Sequence, residues 1–147
     1  MDEYEVLKLS NQICFPLYAA SREVIKRYRP FLENLGLTYT QYITMMVIWE
    51  KKSINVKELG DILFLDSGTL SPVLKSLESK GYITRKRCCD DERVLIVSIT
   101  GDGEALRDEA LNIPDGIAGC IRLDPGEADE LYRLLYKLLG SPRPFSP

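Results

Sequence analysis

Histidine is absent from the 147 residues. Its absence removes Ser–His and Cys–His nucleophile activation, zinc sites of the Cys/His kind and every imidazole proton shuttle. No apolar run approaches the roughly 20 residues of a membrane span. Met1-Asp2-Glu3-Tyr4-Glu5 is acidic where a signal peptide would be basic. A cytoplasmic protein without a membrane partner is therefore expected. The four cysteines form no Cys-x-x-Cys, and no thioredoxin-like alternation of strand and helix accompanies them, which argues against a thiol peroxidase. As thiols in a reducing compartment they are candidates for redox chemistry or metal binding before they are structural staples. No cofactor is expected.

What is present centres on Asp66 to Ile99. Leu70, Val73, Leu74 and Leu77 recur at the spacing of one helix face. The other face carries Ser67, Thr69, Ser71, Lys75 and Ser76, short or basic side chains that let a helix enter a nucleic-acid groove closely and hydrogen-bond there. Lys80-Gly81 stops the helix. The period then changes to two in Tyr82-Ile83-Thr84-Arg85-Lys86-Arg87 and Val94-Leu95-Ile96-Val97-Ser98-Ile99, with the polar Cys88-Cys89-Asp90-Asp91-Glu92-Arg93 between them. A polar-faced helix followed by a basic hairpin is the layout of a winged helix-turn-helix, the alternative being an ordinary amphipathic helix beside an edge hairpin. Serine, threonine and lysine on the helix would face the major groove. Arg93 at the wing tip would enter the minor groove with Asp91 holding its guanidinium, and Arg85, Lys86 and Arg87 would meet the backbone. The chain's net charge is only −3, yet residues 67 to 93 hold six cations against four anions, so the basic charge sits where such a motif needs it.

The remaining elements read in order. Val6 to Leu32 patterns as one long helix, interrupted at Pro16, with Cys14 just before the expected kink. A helix from about Thr40 to Glu50, with apolar side chains on most sides, and one from Val56 to about Phe64, capped by Asn55, complete a tri-helical core. Pro72 predicts either a loose first turn or a start near Thr69 for the third helix. Thr100 caps a glycine-interrupted helix over about 101–120. Asp124-Pro125-Gly126-Glu127 opens a last helix with a wide leucine stripe. The over-long first helix and this greasy last one predict a dimer interface. The chain is thus expected to be mainly α with a small β-hairpin: one domain over 1–140, with a winged helix about 36–100, dimerisation helices about 6–32 and 101–140, and a disordered proline-rich tail over 141–147.

The Asp66-Ser67-Gly68-Thr69-Leu70 helix, the Asp91-Glu92-Arg93 wing tip and the long terminal helices resemble the MarR family of dimeric winged-helix regulators. Asn11-Gln12-Ile13-Cys14-Phe15, Tyr18-Ala19-Ala20-Ser21-Arg22-Glu23, Tyr28, Thr38-Tyr39 and Leu65 to Leu70 resemble its organic hydroperoxide resistance branch. The resemblance covers about residues 7 to 139. It implies a homodimeric repressor that binds a pseudo-palindromic operator when reduced and releases it once an organic hydroperoxide oxidises Cys14. It also implies that Tyr28 and Tyr39 reach the thiol from the partner subunit, with Tyr18 one turn along the same helix as the thiol. Cys120 matches the resolving cysteine of the two-cysteine members, and the resemblance implies a Cys14–Cys120 disulfide between subunits. Cys88-Cys89 departs from the family pattern and reads as incidental exposed residues, additional oxidation sites or a thiophilic-metal site. Two other functions stand beside the redox repressor: a MarR-type regulator switched by a small aromatic acid, and a thiol peroxidase in its own right.

Overall fold

A computed structural model describes residues 2–141. Two short 3-10 segments, Glu3–Leu7 and Leu9–Asn11, precede α1 (Cys14–Glu33). There follow α2 (Tyr39–Lys51), β1 (Ser53–Asn55), α3 (Val56–Leu63), α4 (Ser67–Ser79), β2 (Ile83–Arg87), β3 (Leu95–Ile99), α5 (Gly101–Ala110), α6 (Ile113–Ala118) and α7 (Pro125–Leu138).

The caps explain most of the boundaries. Thr38 and Gln41 form a reciprocal capping box at α2, and Asp124 and Glu127 form another at α7, where Pro125 fills the first helical position. Asn55, Asp66 and Thr100 each accept the backbone N–H three residues on. The core lies in the winged-helix body. Met45 and Ile48 of α2, Leu59 of α3, Leu70, Leu74 and Leu77 of α4, and Ile83 and Val97 of the sheet are all nearly inaccessible. Trp49 closes one end by donating its indole N–H to the Gly103 carbonyl at 2.8 Å.

Four expectations are corrected. The first helix does not run from Val6: it begins at Cys14, so Pro16 lies in the first turn, where its missing N–H would have had no helical partner and interrupts nothing. The third helix begins at Ser67 and runs through Pro72, because Asp66 caps it firmly. The stretch 101–120 divides into α5 and α6 at Leu111-Asn112, with Pro114 in the first turn of α6. The sheet has three strands in the order β1-β3-β2, because Ser53 to Asn55 pair antiparallel with Ser98 to Ile96. α2 is also less enclosed than its composition predicts, since Met46 is 45% exposed.

Both ends of the chain leave apolar surface open. No residue of α7 is buried: Leu131, Leu134, Leu138 and Leu139 face outward, as do Val6, Leu9, Ile13, Phe15 and Leu17 near the start of α1. All but Ser141 of the tail expected over 141–147 lies outside the described residues.

Candidate functional site

The polar face of α4 is presented as its spacing predicts. Ser67, Thr69, Ser71 and Lys75 are exposed while Leu70, Leu74 and Leu77 anchor the opposite side. The cap is electrostatically firm, because the Thr69 backbone N–H, and after it the Thr69 hydroxyl, hold the Asp66 carboxyl below the usual aspartate range. Beyond it, the hairpin projects the wing. Asp91 Oδ1 accepts from both the backbone N–H and the Nε of Arg93, at 3.0 and 3.2 Å, yet the Arg93 side chain is 91% exposed. Arg87 donates to the Glu92 carbonyl across the hairpin end at 3.2 Å.

Between the start of α4, α3 and the wing runs an open groove of about 510 Å³ whose walls include Lys57, Ser67 and Arg93. Lys57 had not been singled out from the sequence. Its signal was the Asn55 cap, which fixes where α3 starts and so which side of that helix faces the groove.

Not every cation of the basic segment faces outward for contact. Arg85 donates from Nη2 to Glu78 Oε1 at 3.1 Å, its backbone N–H binds the other carboxylate oxygen, and the pairing holds the Glu78 carboxyl below its ordinary range. Alternation along β2 leaves Thr84 and Lys86 exposed on the other side. Lys80 reaches back to the Gly36 carbonyl and to Gln41 Oε1, and Ser76, expected to point away from the core, accepts from Gln41 Nε2 at 2.9 Å.

The thiols fall into three places. Cys14 is the first residue of α1 and is exposed. Tyr18, one turn on, is held by Arg22, whose guanidinium lies 5.4 Å from its ring centroid. Cys120 follows α6, partly exposed, with its Sγ donating to the Gly116 carbonyl at 3.4 Å. Its own carbonyl accepts from Arg27 Nη1 at 2.6 Å, which fixes this segment to the far half of α1. α6 can approach that half because Gly116 has no side chain: a Cβ there would sit 2.5 Å from a ring carbon of Phe31. Cys88 and Cys89 lie at the wing, with the Cys88 N–H still in the ladder to Val94 at 2.8 Å. Among the described residues no group of three His, Cys, Asp or Glu side chains could hold a metal ion.

Tyr28 and Tyr39 meet at 5.0 Å between ring centroids, and Tyr42 joins them at 5.8 Å from Tyr28. Burial, and secondarily the neighbouring phenols, raise the pKa of all three above the ordinary tyrosine value, so they remain hydroxyl donors at physiological pH. Within one protomer this cluster does not meet Cys14. Fourteen residues of helix separate Cys14 from Tyr28, about 21 Å along the axis at 1.5 Å per residue. Cys120 lies at the tyrosine end of α1, through Arg27, so its Cα stays well beyond the roughly 7 Å that a disulfide to Cys14 of the same chain would need.

Comparison with known proteins shows the family. Residues 26–110 match the family model of the transcriptional regulators SarA/Rot. The organic hydroperoxide resistance transcriptional regulator of Bacillus subtilis is 44% identical over 138 residues, 94% of each chain. Reduced AbfR bound to DNA, from Staphylococcus epidermidis, superposes with a TM-score of 0.78 at 32% identity, covering 95% of each chain. The disulfide form of the same protein gives 0.65 at 33% identity, covering 93% of this chain and 96% of that one. The overoxidised form bound to DNA gives 0.76 at 32% identity, so the fold resembles the DNA-bound forms more than the disulfide form, whatever the state of the thiol. These are regulators, not enzymes, and the chain belongs to the MarR-like winged-helix transcriptional regulators, in the branch of the organic hydroperoxide resistance regulators.

Proposed function

We propose that this protein is a redox-sensing repressor that holds operator DNA when reduced and releases it when an organic hydroperoxide oxidises Cys14. The observation that carries the reading is the separation of parts along α1. An exposed cysteine opens the helix, while the tyrosine pair Tyr28–Tyr39 and Cys120 gather at its other end. Two copies whose α1 helices cross antiparallel bring Cys14 of one protomer to the tyrosines and Cys120 of the other. The outward apolar faces of α7 and of the start of α1 supply the surface for such a homodimer. Such a dimer sets two copies of α4 and the wing against the half-sites of a pseudo-palindromic operator. This places its work in the cytoplasm, where the DNA is.

The chemistry follows from the parts. The Cys14 thiolate attacks the outer oxygen of the hydroperoxide, the O–O bond breaks, the alkoxide takes up the proton that the thiol gave to solvent and leaves as the alcohol, and the sulfur becomes a sulfenic acid. The Cys120 thiol of the other protomer then attacks that sulfur, forming the S–S bond and releasing water. Tyrosine hydroxyls, with no histidine available, are the donors that steady the sulfur's charge. Closing a bond that requires Cα atoms within about 7 Å favours a different packing of the terminal helices from the one that fits DNA.

The test is fluorescence anisotropy of an operator duplex, selected from random sequence, before and after one equivalent of cumene hydroperoxide. The wild type should dissociate and Cys14→Ser should stay bound. Release by Cys14→Ser would refute the assignment. One observation favours the aromatic-ligand reading: an open cavity of about 350 Å³ lined by Tyr42, Trp49 and Arg107 could seat a small aromatic acid. Release of the wild type by benzoate but not by peroxide would support it instead.

A further inference from the structure

Gln41 is 7% exposed, and its carboxamide is used from three directions. Its Oε1 accepts from the Thr38 backbone N–H at 3.1 Å and from Lys80 Nζ at 3.0 Å, and its Nε2 donates to Ser76 Oγ at 2.9 Å. Lys80 also reaches the Gly36 carbonyl in the loop between α1 and α2. One side chain therefore joins the first turn of α2 to the last turn of the helix that presents Ser67, Thr69, Ser71 and Lys75.

That first turn is the one carrying the tyrosines. At 100° per residue Gln41 lies about 200° around α2 from Tyr39, so the turn is held between the tyrosine cluster on its α1 side and α4 on the other. A shift of the first turn of α2 that carries Tyr39 moves Gln41 with it, through the shared backbone and the Thr38–Gln41 capping box, and pulls on Ser76 and Lys80. The alternative, leaving a buried carboxamide unpaired, costs the full desolvation of its polar atoms.

We infer that Gln41 is the positioning residue that couples the tyrosine cluster to the recognition helix, and so sets how far operator affinity differs between the reduced and oxidised protein. The inference rests on the redox-repressor reading. It makes Gln41 a determinant of the switch without contact to DNA, oxidant or thiol.

The experiment measures operator Kd for the full-length homodimer, reduced and after cumene hydroperoxide, with Cys14 oxidation verified by mass spectrometry. Gln41→Met keeps the volume and removes every bond; the oxidised-to-reduced Kd ratio should fall at least tenfold below that of the wild type. Gln41→Glu, which still accepts from Lys80 and Thr38 and can accept a hydrogen bond from the Ser76 hydroxyl, should restore most of the ratio. Ser76→Ala and Lys80→Met each remove a partner without touching the buried site, so the test survives if Gln41→Met fails to fold. Each should lower the ratio, and neither should lower it further in the Gln41→Met background. A purely structural role would shift both Kd values by the same factor and leave the ratio unchanged, which would overturn the inference. A wild type that keeps its operator when Cys14 is fully oxidised would fail the redox reading itself, and the inference with it.

Discussion

Asp91 Oδ1 receives the Nε of Arg93 at 3.2 Å while nine-tenths of the Arg93 side chain stays open. An exposed ion pair of this kind contributes little to stability, so its effect is orientation. The carboxylate occupies one side of the guanidinium and leaves the Nη groups aimed outward from the wing. Arg93→Ala should weaken operator binding by about 1–3 kcal/mol, and Asp91→Ala should weaken it less, since the charge remains and only its direction is lost. Unaltered affinity for Arg93→Ala at fixed salt would remove the wing from the DNA interface.

Lys86 and Arg85 are adjacent on β2 but differ in what surrounds them. Glu78 neutralises Arg85, whereas Lys86 is exposed with its full charge available. Lys86→Ala should flatten the dependence of log K on log salt by about one unit of slope. Arg85→Ala should change the slope less and lower the thermal midpoint instead, because Glu78 loses its partner. Equal slopes for the two variants would show that Glu78 does not divert Arg85 from phosphate.

Ending the chain before Asp124 tests the role of α7. No residue of α7 is buried within its own protomer, so its removal should leave the winged-helix core folded and, in the dimer, uncover the apolar start of α1 of the other protomer. Sedimentation should show aggregation, or a monomer that has lost high-affinity binding to a two-half-site operator. A soluble dimeric truncation with full affinity would exclude α7 from assembly.

Non-reducing gels report the partner of the oxidised thiol. After peroxide, a covalent dimer should form in the wild type and in the Cys88→Ser/Cys89→Ser variant, and be lost in Cys14→Ser and in Cys120→Ser. A dimer that persists without Cys120 and vanishes with the wing pair would move the chemistry to the wing.

Much of this architecture was readable from residues whose signals are local. The Leu70, Leu74, Leu77 spacing, the Asp124-Pro125-Gly126-Glu127 start and the period change after Gly81 each predicted an element that the structure contains. The errors arose where local pattern is ambiguous. A proline in a first helical turn and one at a kink produce the same apolar periodicity, so the pattern alone does not show that Pro16 stands at the start of α1. Three residues cannot display a strand period, and β1 exists only because β3 pairs with it. Ser76, Lys80 and Gln41 were beyond such reading, because their hydrogen bonds join positions 35 and 39 residues apart. The Arg85–Glu78 pair was equally out of reach, because it joins the end of α4 to β2 across seven residues.

The most direct test of the central claim follows each cysteine and the DNA together. Operator complexes would be titrated with substoichiometric cumene hydroperoxide, trapped at each step, and analysed for the fraction of DNA released and the oxidation of Cys14, Cys88, Cys89 and Cys120. The account predicts that Cys14 is oxidised first and that release follows its oxidised fraction, with Cys120 changing only as the disulfide forms. Release that follows Cys88 or Cys89 while Cys14 remains a thiol, or DNA retained with Cys14 fully oxidised, would contradict it.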